Sequence, residues 1–482
     1  MNIILKRFFY FFIFLAIFTN LSCAVNPVTH KKELMLLSQS DELALGKQTD
    51  RQISQTYGIY EDQNLKDYLS SLGNKLAKVS HLPDLPFNFQ VLDSSVVNAF
   101  AVPGGYVYLT REILAYINDE AELAGVMGHE IGHITARHSA QMYSRAQLAQ
   151  MGLVLGAALS KSFRKYAGML EAGLSVLFLS FSRENERQAD DLGVLYSSKA
   201  GYDAEHMANL FITLERLNPS SGSDGLPSWL STHPNPPDRI SAIKKAASKF
   251  KTQNPDLKFS VGREEYLKKI DGIVFGDDPR QGYLEGQIFY HPRLKVQFPF
   301  PQNWKYNKSN NYIQMVSPNQ DAVMALSVSD EKTPDEAARN FVRENNLNIL
   351  NSDVKTINGL YVRRLEFSVQ TERENIKGLA NFIKYEEKVL AFLGYTVFEK
   401  YNSYAPAILK SLNQLKPLTD SAHLNVIPEK IKIVRVEKED IFENILKKHN
   451  FPQEKFKKLA ILNGVELTSK VPSGSLIKLV SK

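Results

Sequence analysis

Two histidines four residues apart, His129 and His133, constrain this chain more than any other feature. In a helix, residues i and i+4 share a face, so these imidazoles reach one point in space if the segment is helical. The flanking residues support that conformation. Asp119 is placed to cap the helix, with Glu122 three residues on at capping-box spacing. Leu123, Val126, Met127 and Ile134 supply apolar contacts. Gly128 and Gly132 weaken a helix intrinsically, so close packing of another backbone is the expected reason for them. Two imidazoles at this spacing can share one Zn2+ at Zn–N distances of about 2.0–2.1 Å. Glu130, next to the first of them, points at the adjacent rim. There its carboxylate can hold a metal-bound water and act as a general base.

A catalytic zinc takes three protein ligands and keeps one position open. Downstream, the run Ser182-Arg183-Glu184-Asn185-Glu186-Arg187-Gln188-Ala189-Asp190 offers a carboxylate on a returning helix. By spacing alone Glu184 serves as well as Glu186, and a solvated helix face explains the run equally well. Asp190 lies four beyond Glu186, on the same helical face, and can accept the free N–H of a ligand histidine. A lone histidine, His233, sits in the Pro-rich run Ser231-Thr232-His233-Pro234-Asn235-Pro236-Pro237-Asp238-Arg239-Ile240. His138, five residues after His133, is expected to pack rather than to bind metal.

The remaining sequence divides readily. A chain of 482 residues is too long for one ordinary core. Its 43% hydrophobic and 23% charged content is that of a folded protein. The net charge of +6 is dispersed without a Lys/Arg block, so nucleic acid is not an expected partner. Cys23 is the sole cysteine, which excludes a disulfide framework within the chain. It follows Lys6, Arg7 and the apolar run Phe8 to Phe18, too short to span a bilayer but suited to an export signal. Ser22 before Cys23 fits a lipoprotein-type signal over residues 1–23, although Asn20 stands where a Leu is usual.

Helix patterns dominate from Asp119 to about Lys249, and Asp41 to Leu85 also has helical spacing. Phe87 to Leu92 and Ala99 to Leu109 read as strands, the second broken at Pro103-Gly104-Gly105. Leu148 to Leu159 and Ala167 to Phe181 are unusually apolar, read first as a buried helical hairpin and otherwise as a lid or membrane-facing segment. The expected fold class is α+β. It comprises a mainly helical domain with a small sheet (24–270), an α/β sandwich-like domain (285–417) and a small βααβ domain (428–482).

These motifs resemble a known family. H-E-x-G-H at 129–133, followed by S-R-x-x-E-x-x-A-D at 182–190, looks like the zinc metallopeptidases that include bacterial HtpX, the periplasmic BepA-like lipoproteins and the eukaryotic CAAX prenyl endopeptidases. Asn98-Ala99-Phe100-Ala101 and Gly104-Gly105-Tyr106-Val107-Tyr108 resemble that family's strand pair beside the cleft. The resemblance covers about residues 30 to 250 and is closest to the BepA-like lipoproteins. It implies a gluzincin-type centre with one Zn2+ on His129, His133 and Glu186, Glu130 as base and Asp190 in a supporting or proton-donor role. It also implies that His233 approaches the metal, either stabilising the oxyanion or plugging the free enzyme. The region from Phe298 resembles a PsbP-type sandwich. The C-terminus resembles a LysM module that binds peptidoglycan, with Glu439-Asp440-Ile441 in place of the usual Gly-Asp-Thr.

The expected function is a metalloendopeptidase that cleaves unfolded or misassembled envelope proteins. Its expected place is the periplasm or cell envelope, held at the outer membrane through a lipidated Cys23. The alternative is a wall-associated chaperone or scaffold whose zinc site is latent or structural. An intact Glu130 speaks against that alternative, because a structural site has no need of a base.

Overall fold

The computed structural model describes residues 23–147, 180–217, 229, 233, 238–309, 312–371 and 374–482. The segment before Cys23 and the two apolar stretches, apart from Ser180 and Phe181, lie outside the described residues. The chain is α+β and falls into two compact units. The first comprises residues up to Phe275, apart from Ser54–Gly58, and is completed by Lys430–Ser481; the second is essentially Gly276–Glu429.

The first unit begins with a short hairpin, β1 (Cys23–Val25) and β2 (Lys32–Leu34). Helices α1 (Gln39–Tyr57) and α2 (Gln63–Lys78) follow, separated at Gly58, whose φ of 73° ends the first. Asp62 caps α2, which buries Leu65, Leu69, Leu72 and Leu76. A three-stranded sheet has the order β3 (Asn88–Leu92), β5 (Tyr106–Thr110), β4 (Ala99–Val102). The turn between β4 and β5 is the expected Pro103-Gly104-Gly105, with φ of 83° and 95° at the two glycines.

From the sheet the chain enters α3 (Arg111–Tyr116), then α4 (Glu120–Thr135), the helix of the histidine pair. A helical run at 138–147 follows, and after it come α5 (Arg183–Lys199), α6 (Met207–Leu217), α7 (Arg239–Gln253) and α8 (Arg263–Ile270). Nearly every residue of α4 is buried. The helix is therefore the axis of the core, enclosed by β4, α2, α5 and α6.

In the second unit, β6 (Lys305–Ser309), β7 (Tyr312–Val316), β8 (Ala322–Ser329), β9 (Asn348–Ile357), β10 (Leu360–Gln370), β11 (Asn375–Tyr385) and β12 (Lys388–Val397) form one antiparallel sheet in the order β9-β10-β11-β12-β8-β7-β6. Along β11, Leu379 and Ile383 join one apolar cluster, while Ala380 and Phe382 join another. This is the alternation expected of a sheet covered on both faces. Helix α9 (Pro334–Glu344) covers one face and α10 (Tyr401–Gln414) the other.

The C-terminal residues show the β-α-α-β order read from the sequence: β13 (Lys430–Arg435), α11 (Phe442–Lys448), α12 (Phe456–Asn463) and β14 (Leu476–Ser481). Gly464 ends α12 at φ 66°, as Asn463-Gly464 suggested. Ile431, Phe442, Leu446, Leu459 and Leu479 share one hydrophobic cluster with Leu123, Met127 and Ile131 of α4.

Candidate metal centre

Asp119 caps α4 in extended conformation, and its side chain accepts the amide N–H of Glu122 at 2.8 Å. Glu122 does not complete the capping box. Its carboxylate accepts from Asn118 N at 2.7 Å, one residue before the cap. The helix then carries His129 and His133 to a common point, their Nε2 atoms 3.0 Å apart and both side chains fully buried.

The two suspect glycines explain how α5 comes so near. A Cβ at Gly128 would lie 3.0 Å from the carbonyl oxygen of Gly193, and one at Gly132 would lie 3.0 Å from Leu192 Cβ. Gly193 returns the fit, since its own Cβ would meet His129 N at 3.0 Å. The close approach puts Glu186 beside the histidines. Its Oε1 is 3.5 Å from His133 Nε2 and its Oε2 is 3.7 Å from His129 Nε2. Glu184 is exposed, so burial decides between the two carboxylates that spacing left open.

His233 is the fourth member. Its Nδ1 lies 3.0 Å from Glu186 Oε1 and 3.3 Å from His129 Nε2. Trp229 stacks on it with centroids 4.9 Å apart, and Phe181 stacks on His133 at 4.0 Å. The donor atoms of His129, His133, Glu186 and His233 all lie within 4.8 Å of one another. Tetrahedral zinc with bonds of about 2.0–2.1 Å requires neighbouring donors about 3.3–3.4 Å apart. The closest pairs, at 3.0 to 3.5 Å, bracket that spacing. Both carboxylate oxygens of Glu130 are buried here without a hydrogen-bond partner among the described residues. Such a group is costly in a dry interior and fits a bound metal and its water. The residues therefore fit a zinc ion.

A polar shell surrounds these donors. Asp190 Oδ1 lies 3.0 Å from His129 Nδ1, as its spacing suggested. Arg239, at the start of α7, grips Asp190 with two bonds of 2.6 and 2.8 Å and reaches Glu186 Oε2 at 3.0 Å. Its guanidinium also lies over the Phe211 ring, 4.2 Å from the centroid. His138 places Nδ1 3.0 Å from His133 Nδ1 and Nε2 3.0 Å from Gln188 Oε1.

Charge follows from these contacts. Burial would raise Glu186 and Asp190. For Glu186, His233, His129 and Arg239 outweigh it; for Asp190, the hydrogen bonds from His129 and Arg239 do, and both carboxyls titrate below their ordinary value. Burial, with the imidazoles of His129, His138 and His233, holds His133 well below the ordinary histidine range. Burial lowers His138 to about 4, so it is neutral at physiological pH. Burial also opposes charge on His233, but Glu186 and Glu130 raise it above the ordinary value.

A helix presenting His-Glu-x-x-His, with a third donor on a helix packed against it, has the arrangement of a zinc metallopeptidase centre. Residues 63–247 match the model of Peptidase family M48. Over 224 residues it is 34% identical to the beta-barrel assembly-enhancing protease of Yersinia pestis, a match covering 45% of this chain and 46% of the relative. Over 201 residues it is 31% identical to the mitochondrial metalloendopeptidase OMA1 of Arabidopsis thaliana, covering 41% of this chain and 39% of that protein. The match spans less than half the length of either relative. The solution structure of cyanobacterial PsbP (CyanoP) from Synechocystis sp. PCC 6803 is similar over 28% of this chain and 98% of its own, at 13% identity and a TM-score of 0.25, too low to assign a fold.

Proposed function

We propose that the chain is a zinc-dependent endopeptidase acting on unfolded or misassembled proteins of the cell envelope. The observation that carries this reading is Glu130, a fully buried carboxylate without a hydrogen-bond partner among the described residues, set beside a four-donor metal site. A purely structural zinc site has no use for such a group.

His129, His133 and Glu186 would hold the zinc, which when bound polarises the scissile carbonyl and acidifies water. Glu130 takes the proton of that water and later delivers it to the leaving amine. Asp190 accepts the Nδ1–H of His129 and fixes the tautomer that leaves Nε2 free for metal, while Arg239 holds Asp190 in place. Strand β4 pairs only with β5 among the described strands, and its other edge offers an extended peptide a place to add. His233 Nδ1 stands where a fourth ligand would stand, and in this reading it plugs the free enzyme.

The envelope substrate class is extended from the relative named for beta-barrel assembly. Anchoring through a lipidated Cys23 at the outer membrane, and glycan binding by the C-terminal residues, belong to the same proposal. Among the described residues no helix is long and apolar enough to cross a membrane. The four-donor arrangement favours one competing reading, a chaperone or scaffold whose zinc is closed off by protein ligands.

Digestion of casein by the purified protein and by Glu130→Gln, with zinc measured in both, separates these. Endopeptidase chemistry requires loss of digestion in Glu130→Gln with zinc retained. Equal digestion by both proteins overturns the mechanism, and zinc in both with activity in neither supports the scaffold.

A further inference from the structure

His138 belongs to no part of the chemistry just described, yet both of its ring nitrogens have polar partners and its side chain is buried. On an uninterrupted helix, a residue five positions after His133 would point about 140° away from it. The chain defeats that geometry. Helix α4 stops at Thr135, Ala136 caps it, and Arg137 takes φ 58°. A left-handed residue just past a helix end reverses the chain direction. Here an arginine rather than a glycine holds the conformation. Its guanidinium donates to the Glu42 carboxylate and to the Leu37 carbonyl. The reversal brings the His138 ring back over the face that carries His133.

Protons on these rings can be assigned from the metal inward. A histidine that gives Nε2 to a metal carries its hydrogen on Nδ1 and must donate it. The atom facing His133 Nδ1 is Nδ1 of His138 at 3.0 Å, which must therefore accept. The hydrogen of His138 is then on Nε2, where Gln188 Oε1 accepts it at 3.0 Å. Gln188 lies on α5, between Glu186 and Asp190.

We infer that His138 and Gln188 form a relay that positions the ligand histidine His133, matching on one side of the metal what Asp190 and Arg239 do for His129 on the other. The two ligand histidines are thus held by different chemistry, a charged pair behind His129 and a neutral imidazole–amide pair behind His133. Each pair takes one member from α5, Asp190 behind His129 and Gln188 behind His133, so the helix that supplies the third ligand also helps to orient the first two.

The inference rests on the metal reading, and the test keeps the two apart. The zinc dissociation constant of the full chain is measured by chelator competition for wild type, His138→Ala, His138→Asn, Gln188→Leu and Gln188→Glu. Melting of each metal-free protein serves as the folding control. Loss of a group that orients a ligand weakens metal binding by about 10- to 100-fold, and that loss is expected for His138→Ala. Asn places an amide oxygen where Nδ1 stood, so His138→Asn should recover most of the affinity, which a mere packing role would not. Gln188→Leu should weaken zinc in the same direction, and Gln188→Glu should bind at least as tightly as wild type. Should His138→Ala fail to fold, the two Gln188 variants carry the test. Wild-type affinity in His138→Ala, no recovery in His138→Asn, or unchanged affinity in Gln188→Leu overturns the relay. Wild type that takes up no zinc overturns the metal reading, and the relay with it.

Discussion

The side-chain Nζ of Lys478 donates to the carbonyl oxygen of Ala115 at 2.7 Å, across 363 residues of sequence. It also donates to Ile117 at 2.8 Å, and the side chain is completely buried. These carbonyls lie at the C-terminal end of α3, where backbone acceptors lack intrahelical partners and a cation is favourable. Burial pushes Lys478 well down and pushes Glu122 of α4 up to about 8. The C-terminal strand thus plugs into the turn that launches the metal-binding helix.

Lys478→Ala should therefore destabilise the first unit by about 2–4 kcal/mol, the cost of stranding two buried acceptors. Thermal melting measures it. A chain ended at Glu429 also loses Ile431, Phe442, Leu459 and Leu479 from the shared core and should not yield a soluble folded peptidase unit. A truncated chain that melts like the full protein would refute this.

Gly193 sets the distance between α4 and α5. Its Cβ position is blocked by backbone, His129 N at 3.0 Å and Gly125 O at 3.1 Å, and neither can move without its helix. Gly193→Ala should cost about 1–3 kcal/mol. It should also weaken zinc binding, because the displaced helix carries Glu186 and Asp190. Glu184→Ala, at an exposed position of the same helix, is the control and should change neither quantity.

Much of this was readable in the sequence where the cause is local. The i, i+4 histidines, the Asp119 cap and the two glycines of α4 each follow from helix periodicity or backbone shape. So do the strand pair around Gly104-Gly105 and the β-α-α-β order of the C-terminus. The choice between Glu184 and Glu186 was not readable by spacing, because it depends on which face of α5 is buried. The polar contacts of His138 were not readable for the opposite reason. Helix periodicity pointed it away from His133, and the left-handed turn at Arg137 is fixed by Glu42, nearly a hundred positions earlier. Lys478 carries no local signal at all, because its partners are main-chain carbonyls that any residue supplies.

His233 separates two roles by the sign of one mutation. If it plugs the free enzyme, His233→Ala opens the fourth position and casein digestion should rise, on the order of tenfold for an equilibrium of modest bias. If it stabilises the oxyanion, the same variant should lose about 10²- to 10³-fold in turnover. The contacts to Glu186 Oε1 and His129 Nε2 place it on the donor set, so the rise is the expected result. Unchanged activity and unchanged susceptibility to chelator would remove His233 from both roles.

His206 offers a test of how the catalytic helix is anchored. Its Nδ1 lies 2.7 Å from Asp119 Oδ2, the residue that caps α4. The hydrogen bond to Asp119 raises the histidine above its ordinary 6.5, with help from the charges of Asp119, Asp203 and Glu122 and against the pull of burial. A group whose folded-state pKa is raised binds its proton more tightly when folded. Its stabilisation is fully present below the unfolded value of 6.5 and is lost as pH rises through the higher folded value. His206→Gln removes that contribution and leaves the metal-site histidines to titrate alike in both proteins. The melting temperature of wild type should therefore exceed that of His206→Gln below pH 6.5, and the gap should close as the solution becomes alkaline. A gap that stays constant across that range would mean that the contact acts through packing or neutral hydrogen bonding, and that charge on His206 contributes nothing to the cap.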